Sequence, residues 1–272
     1  MSLRISWSAL RTHEECKQRS ALYRGHKRGA LTDQRMFLPG NITDRVVRDF
    51  LLMENPMDNL GIMPSMVEEH LEKTLTRVEE EGGIISWKSR EDRRQIIHEC
   101  ILAVTRIEKA LVERVIPFSY TPAYRFEVPM RMPHPRGGTE VIHLVGEMDI
   151  TGFRGEEDFF VYDVKHTKND EYWRKTAAQL TFYALVVEAE NGVRPKEVGL
   201  FQPLCTEQVK IIEVRDDWRQ QMLQRIMSMC NDIWNNDETP RTDYSKCGWC
   251  DVKHACVKFR PVMVNGKKMM EL

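Results

Sequence analysis

Apolar positions along the chain recur first at helical spacing and then, beyond Pro117, at strand spacing. Ser6 to Arg24 reads as one helix that mixes Leu10 and Cys16 with Arg11, Lys17, Arg19 and Arg24. A second helix is expected after Gly40, through NITDRVVRDFLLME, and Pro64 suits the first turn of a third, where a missing N–H costs nothing. From Arg90 to Arg114, Ile96, Ile97, Cys100, Ile101, Val104, Ile107 and Leu111 mark a fourth, so the N-terminal region reads as a helical array. The runs AYRFEVPMRM, EVIHLVGEMDITGF and DFFVYDVKHT are rich in β-branched and aromatic residues and predict three adjacent strands. Residues 171–190 read as a helix packed on them, and KEVGLFQPL and EQVKIIEV as further strands. Trp218, Met222, Ile226, Cys230 and Ile233 mark an amphipathic helix from Asp216 to about Trp234. No repeat or linker stands out. The expectation is one domain over residues 1–272, with a helical part at 1–116, a sheet with its helix at 117–215, and a helix with a cysteine-bearing segment at 216–272.

Composition adds limits to this picture. With 272 residues, 42% of them apolar, the chain can bury a sizeable core. Its 40 Lys and Arg balance 41 Asp and Glu, so any nucleic-acid surface must come from local clusters of charge. No apolar run approaches the roughly 18 residues of a membrane helix, and the N-terminal segment lacks the apolar core of a signal peptide. A cytoplasmic protein with no membrane partner is expected. Cysteines stand at 16, 100, 205, 230, 247, 250 and 256, an odd number without an export signal, which argues against disulfides.

Two strand-like runs carry acids that can meet. GEMD ends at Asp149, and fourteen residues further on DVK spans Asp163 to Lys165. With a side-chain period of two, Asp163 and Lys165 share one face, close to a carboxylate of the neighbouring strand. Two converging carboxylates repel unless a cation joins them, and hard oxygen ligands suit Mg2+ or Mn2+. A cation so held polarises a phosphoryl oxygen and lowers the pKa of a bound water from about 15.7 toward about 7. A lysine beside it positions that water or offsets developing charge, so hydrolysis of a phosphodiester is the expected chemistry. Gln179 and Tyr183, four apart on the expected helix, share a face from which they can orient Lys165 or a phosphate. D-x-K alone is a common surface tripeptide; the order of the three segments supplies the specificity.

In that order, GEMD, DVK and QLTFY resemble the nuclease motifs of the PD-(D/E)xK superfamily, in particular its RecB-like branch, over residues 127–183. The resemblance implies a restriction-endonuclease-like α/β fold, a mixed central sheet flanked by helices, with a helical N-terminal part and a cysteine-ligated C-terminal segment. It implies that Asp149 and Asp163 bind the metal, that the carbonyl of Val164 joins them, and that Lys165 activates water. Glu127, in YRFEVPM, matches a family position with an acidic residue near the site. One departure stands out: members often carry a histidine ligand on an early helix that opens after a glycine, where GNITDRVVRDF offers Asp44. Either Asp44 replaces that ligand, or the site has two side-chain ligands plus waters and is weakly active or inactive.

Cys247, Cys250 and Cys256 form C-x2-C-x5-C after NNDETPRTDYSK, a segment too polar to pack a core. Cys16 is the candidate for a fourth position, and four thiolates fit Zn2+ or a 4Fe-4S cluster alike. A subset of RecB-like nucleases, including the AddB nuclease domain and the iron-sulfur exonucleases of CRISPR adaptation, has one cysteine before the motifs and three after them. The same layout here implies a 4Fe-4S cluster that joins the two ends of the domain. His254, in the same segment, is an alternative ligand, whereas Cys100, Cys205 and Cys230 fall on apolar faces and are expected in the core. His166 directly follows Lys165 and is expected on the opposite face.

Basic residues collect at Arg11, Lys17, Arg19, Arg24, Lys27 and Arg28, and again at Lys165, Lys168, Arg174 and Lys175. Tyr172 and Trp173 interleave with the second group, an arrangement suited to stacking on unpaired bases, so Lys168, Tyr172, Arg174 and Lys175 are the expected DNA contacts. The expected function is a Mg2+- or Mn2+-dependent DNA nuclease, acting as an exonuclease on single strands or DNA ends. The alternatives are an endonuclease, an iron-sulfur module that binds DNA or a partner protein with little or no catalysis, and a subunit active only with a helicase or recombination partner.

Overall fold

The computed structural model describes residues 2–25, 33–113, 121–154, 158–195, 197–240, 247, 250, 252, 255–256, 262–264 and 267–269. In chain order the elements are β1 (Arg4–Ile5), α1 (Trp7–Glu15), α2 (Lys17–Gly25), α3 (Leu38–Leu51), α4 (Met63–Glu80) and α5 (Arg90–Val112). Then come β2 (Thr121–Pro133), β3 (Thr139–Arg154), β4 (Asp158–Val164), α6 (Trp173–Asn191), β5 (Glu197–Phe201), β6 (Val209–Ile211), α7 (Asp216–Trp234), β7 (Val262–Val264) and β8 (Lys267–Met269). Packing groups the chain into two compact units, one drawn from Met1–Thr32, Pro129–His143 and Leu223–Leu272, the other from Asp33–Val128 and Leu144–Met222. Each unit thus joins segments that are far apart in sequence. Among the described residues no helix is long and apolar enough to cross a membrane.

In the first unit, the Ser6 hydroxyl caps α1 by accepting from the Ala9 amide at 3.1 Å. The single helix expected from Ser6 to Arg24 is broken at Cys16, which adopts an extended conformation (φ −166°, ψ 110°). Its amide closes α1 on the Thr12 carbonyl, and its own carbonyl accepts from Ser20 to open α2. Buried His13 lies 2.9 Å from Asp232, and Lys17 bridges Asp232 and Asp237, so both helices are tied to the end of α7.

In the second unit, α3, α4 and α5 bring their apolar stripes together. Ile42, Val46 and Phe50, Val67 and Leu71, and Cys100, Val104 and Ile107 form one core with Ile150, Phe160, Tyr162 and Phe201 of the strands. Helix α3 opens at Leu38, ahead of the expected start, because Pro39 fits its first turn; Pro64 does the same for α4, as its position predicts. The sheet is mixed: β3 pairs antiparallel with β4, β4 parallel with β5, and β5 antiparallel with β6, with β2 joined to β3. A parallel pair needs a crossover, and α6 supplies it. Alternation along β4 turns Phe160 and Tyr162 toward the helical core, leaving Val161 and Asp163 on the face where α6 packs. Helix α6 ends at Gly192, whose φ of 73° is left-handed.

Gly199 stands in register with Tyr162, and the buried phenol ring occupies the space of a Cβ, with a ring carbon 2.3 Å from where that atom would sit. Gly199→Ala should therefore cost about 1–3 kcal/mol through overpacking, read as a lower urea midpoint with an unchanged slope. Gly40→Ala, on α3 with nothing within 4 Å of the added carbon, should be neutral or stabilising by up to about 1 kcal/mol. Equal losses at the two positions would rule out the close approach as the cause.

Candidate active site

Asp149 lies on β3, Asp163 near the end of β4, and Lys165 one residue past that strand. Asp163 is 1% exposed, and its Oδ2 lies 2.7 Å from the Lys165 ammonium. On its other side, Gln179 Nε2 of α6 donates to Asp163 Oδ1 at 3.0 Å. Asp149 Oδ2 accepts the backbone N–H of Val164 at 2.8 Å, a bond that pins the two acid-bearing strands side by side. The Tyr183 hydroxyl accepts from Gln179 at 2.8 Å and donates to the carbonyl of Glu147 at 3.0 Å. The helix thus grips both strands. The sequence reading has Gln179 and Tyr183 orienting Lys165 or a phosphate; the structure aims them at Asp163 and at the β3 backbone.

Burial dominates the electrostatics. It pushes the Asp163 carboxyl up to about 7, with Lys165 opposing and Asp149 reinforcing the shift, and it raises Asp149 against the pull of Lys165. Asp44, on α3, reaches solvent yet is crowded by protein; that crowding and the charge of Asp149 push it up to about 6, with Arg48 opposing. Burial alone would lower the pKa of Lys165, but Asp163 and Asp149 outweigh it and hold the ammonium charged. Burial and the same two acids raise Tyr183, which remains a protonated donor.

Asp163 Oδ2 is met by the Lys165 ammonium at 2.7 Å. Two neighbouring carboxylates that share one ammonium, one of them buried, fit a hard divalent cation such as Mg2+ or Mn2+. Among the described residues no group of three or more His, Cys, Asp or Glu side chains is gathered closely enough to hold a metal ion. Asp44 is tied to the two strand acids by charge. Glu127 is exposed on β2 between buried Phe126 and Val128. His166 points away from Asp163, as the period of two expects, with Nδ1 2.9 Å from the hydroxyl of Thr43.

The expected DNA contacts are engaged locally. Lys168 pairs with Glu99 at 2.6 Å and Arg174 with Glu171 at 2.7 Å, while Arg174 and Lys175 lie over the rings of Trp173 and Tyr172. Lys27, Arg28 and His254 lie outside the described residues. Sequence reasoning missed Glu147, which binds Arg48 at 3.2 Å and Arg125 at 2.9 Å. Its place two residues before Asp149 was a usable signal; the pairing with α3 and β2 was not. All seven cysteines are free, with Cys100, Cys205 and Cys230 buried and Cys16, Cys247, Cys250 and Cys256 partly exposed.

A family model for the PD-(D/E)XK nuclease superfamily matches residues 4–257. The chain belongs to the PD-(D/E)XK nuclease superfamily. A comparison with curated proteins gives no match. Among solved structures, a Eubacterium rectale protein provisionally described as an exonuclease aligns over 95% of this chain and 90% of its own, with 13% identity and a TM-score of 0.50. At that identity the likeness shows the fold, a mixed sheet flanked by helices. A second structure, SSO0001, aligns over 92% of this chain and 95% of its own at 14% identity, but its TM-score of 0.34 carries no argument.

The raised carboxyl pKa values set a sign for pH. The folded PD-(D/E)XK protein retains protons that the unfolded chain releases, so these acids progressively destabilise it as pH rises from about 4 to about 7. A divalent cation competes with those protons. Mn2+ should therefore raise the melting temperature more at about pH 8 than at about pH 5.5. A larger increment at the lower pH would contradict a carboxylate site.

Proposed function

We propose that this chain is a metal-dependent DNA nuclease of the RecB-like branch, a single nuclease domain over residues 1–272 that hydrolyses phosphodiester bonds as an exonuclease on single strands or DNA ends. The observation that carries this reading is buried Asp163, held between Lys165 and Gln179, with Asp149 pinned alongside by the Val164 amide. The order GEMD, DVK, QLTFY supports the RecB-like assignment, as do the bonds from Gln179 to Asp163 and from Tyr183 to Glu147. The description of the Eubacterium rectale structure is in keeping with exonuclease action.

Asp149 and Asp163 would hold Mg2+ or Mn2+, with the Val164 carbonyl and Asp44 as further oxygen donors and Glu127 at the rim. When bound, the cation supplies Lewis-acid polarisation of the phosphoryl oxygen and lowers the pKa of a water. Lys165 stays charged between its two acids, so it positions the attacking water and offsets negative charge as it develops. Gln179 and Tyr183 keep the carboxylates in place, which spares reorganisation during reaction. Lys168, Arg174 and Lys175 guide the strand, with Tyr172 available for stacking on a base.

Cys16, Cys247, Cys250 and Cys256 are read as ligands of a 4Fe-4S cluster, with zinc as the alternative occupant. Cys16 stands at the break between α1 and α2, and the Cys256 thiol donates to Gln18 at 3.0 Å, two residues from Cys16. Cys247 and Cys250 share a turn closed by a 3.1 Å backbone bond. The remaining three are unsuited: burial pushes Cys100 and Cys230 up to about 12 and Cys205 up to about 11, which keeps them as thiols.

Asp163→Asn and Lys165→Met should each reduce Mn2+-dependent cleavage of end-labelled single-stranded DNA by at least about a hundredfold while leaving a cooperative melt. Unchanged cutting by purified Asp163→Asn would sink the proposal. Separately, anaerobically purified protein should be brown and lose its visible absorption in Cys250→Ser; a colourless protein with stoichiometric zinc would assign the site to zinc.

A further inference from the structure

Glu147 belongs to the GEMD segment, and while its carbonyl accepts from Tyr183, its side chain has no role in the chemistry described above. It stands two residues before Asp149, on the same side of β3 and roughly 7 Å along it. Guanidinium groups from two other elements take its two oxygens. Arg48 Nη1 of α3 reaches Oε1 at 3.2 Å, and Arg125 Nε of β2 reaches Oε2 at 2.9 Å. Arg48 lies one helical turn past Asp44, whose carboxyl feels its charge.

The Glu147 carboxylate takes one edge of each guanidinium and leaves the other donors of both forks uncommitted to it. The Arg48 side chain is 32% exposed and that of Arg125 81%, so both keep donors open to solvent. Ion pairs this exposed add little stability, so stability is a weak reason for three elements to converge here. A guanidinium, by contrast, presents its donors as a fork that matches two phosphate oxygens.

We propose that Arg48 and Arg125, gathered by Glu147, form a phosphate-binding subsite that holds the DNA strand beside the Asp149–Asp163 centre. The proposal rests on the nuclease reading. The Glu147 that gathers this pair stands two residues along β3 from Asp149, a spacing that suits the phosphate next to the scissile one. Neither arginine acts on the reacting bond, and both serve to hold the strand.

The test is fluorescence anisotropy with a labelled single-stranded oligodeoxynucleotide in Ca2+, repeated across salt concentrations. Arg48→Ala and Arg125→Ala should each weaken binding about tenfold and reduce the slope of log Kd against log salt by about 0.7. Arg48→Lys and Arg125→Lys should each keep the parental slope but not the full affinity, since the substitution keeps the charge and loses the fork. With Mn2+, KM should rise more than kcat falls, at a melting temperature close to that of the parent protein. Parental affinity and slope in the Arg48→Ala/Arg125→Ala double variant, from a parent that cuts with Mn2+, would overturn the subsite and leave the nuclease reading standing. A parent protein that neither binds nor cuts the oligonucleotide would overturn both.

Discussion

Asp163 is buried against the Lys165 ammonium, and Asp149 stands beside it on the neighbouring strand. Two acids taken out of water together destabilise a fold unless opposite charge or hydrogen-bond donors compensate them. Here the compensation is partial. Lys165 offsets one charge, Gln179 satisfies one oxygen, and the Val164 amide satisfies another on Asp149. The remaining deficit appears as raised carboxyl pKa values, and protons or a divalent cation can fill it.

The fold bears this strain because the acids sit on elements that are fixed elsewhere. Phe160 and Tyr162 anchor β4 in the helical core, with the Tyr162 ring closed over Gly199 of the adjacent strand. Phe126 also packs closely over Gly146, three residues before Asp149, with a ring carbon 2.6 Å from where a Cβ would sit. On the opposite face α6 bonds to both strands through Gln179 and Tyr183. The strands can therefore move little, and like charges on them are held near one another instead of relaxing apart.

The residues legible in the sequence are those governed by local periodicity. A period of two places Asp163 beside Lys165, a period of 3.6 places Gln179 beside Tyr183, and the observed contacts join both pairs. The strands and the helix packed on them follow from the same patterns, whereas the mixed sheet is what the resemblance to the nuclease family implied. What stayed hidden depends on pairing between distant segments. Nothing in the local pattern links Arg48 and Arg125 to Glu147, or gathers the chain ends and the β2–β3 turn into one unit. The break at Cys16 was invisible because the helical pattern of side chains continues across it while the backbone departs for one residue.

The two proposed metal sites also differ in the chemistry of their ligands. Asp149 and Asp163 offer hard oxygens in the second unit, whereas the four partly exposed thiols of the first unit are soft, and each set disfavours the other's ion. The exception to examine is Cys100, whose side chain reaches Thr43, the residue before Asp44. That thiol does not compete for a metal. Burial pushes its pKa up to about 12, its Sγ faces the Pro39 carbonyl at 3.7 Å, and a protonated thiol is a poor ligand. The apolar core that positions α3 thus also keeps the nearby sulfur inert, leaving oxygen as the donor chemistry of the carboxylate site.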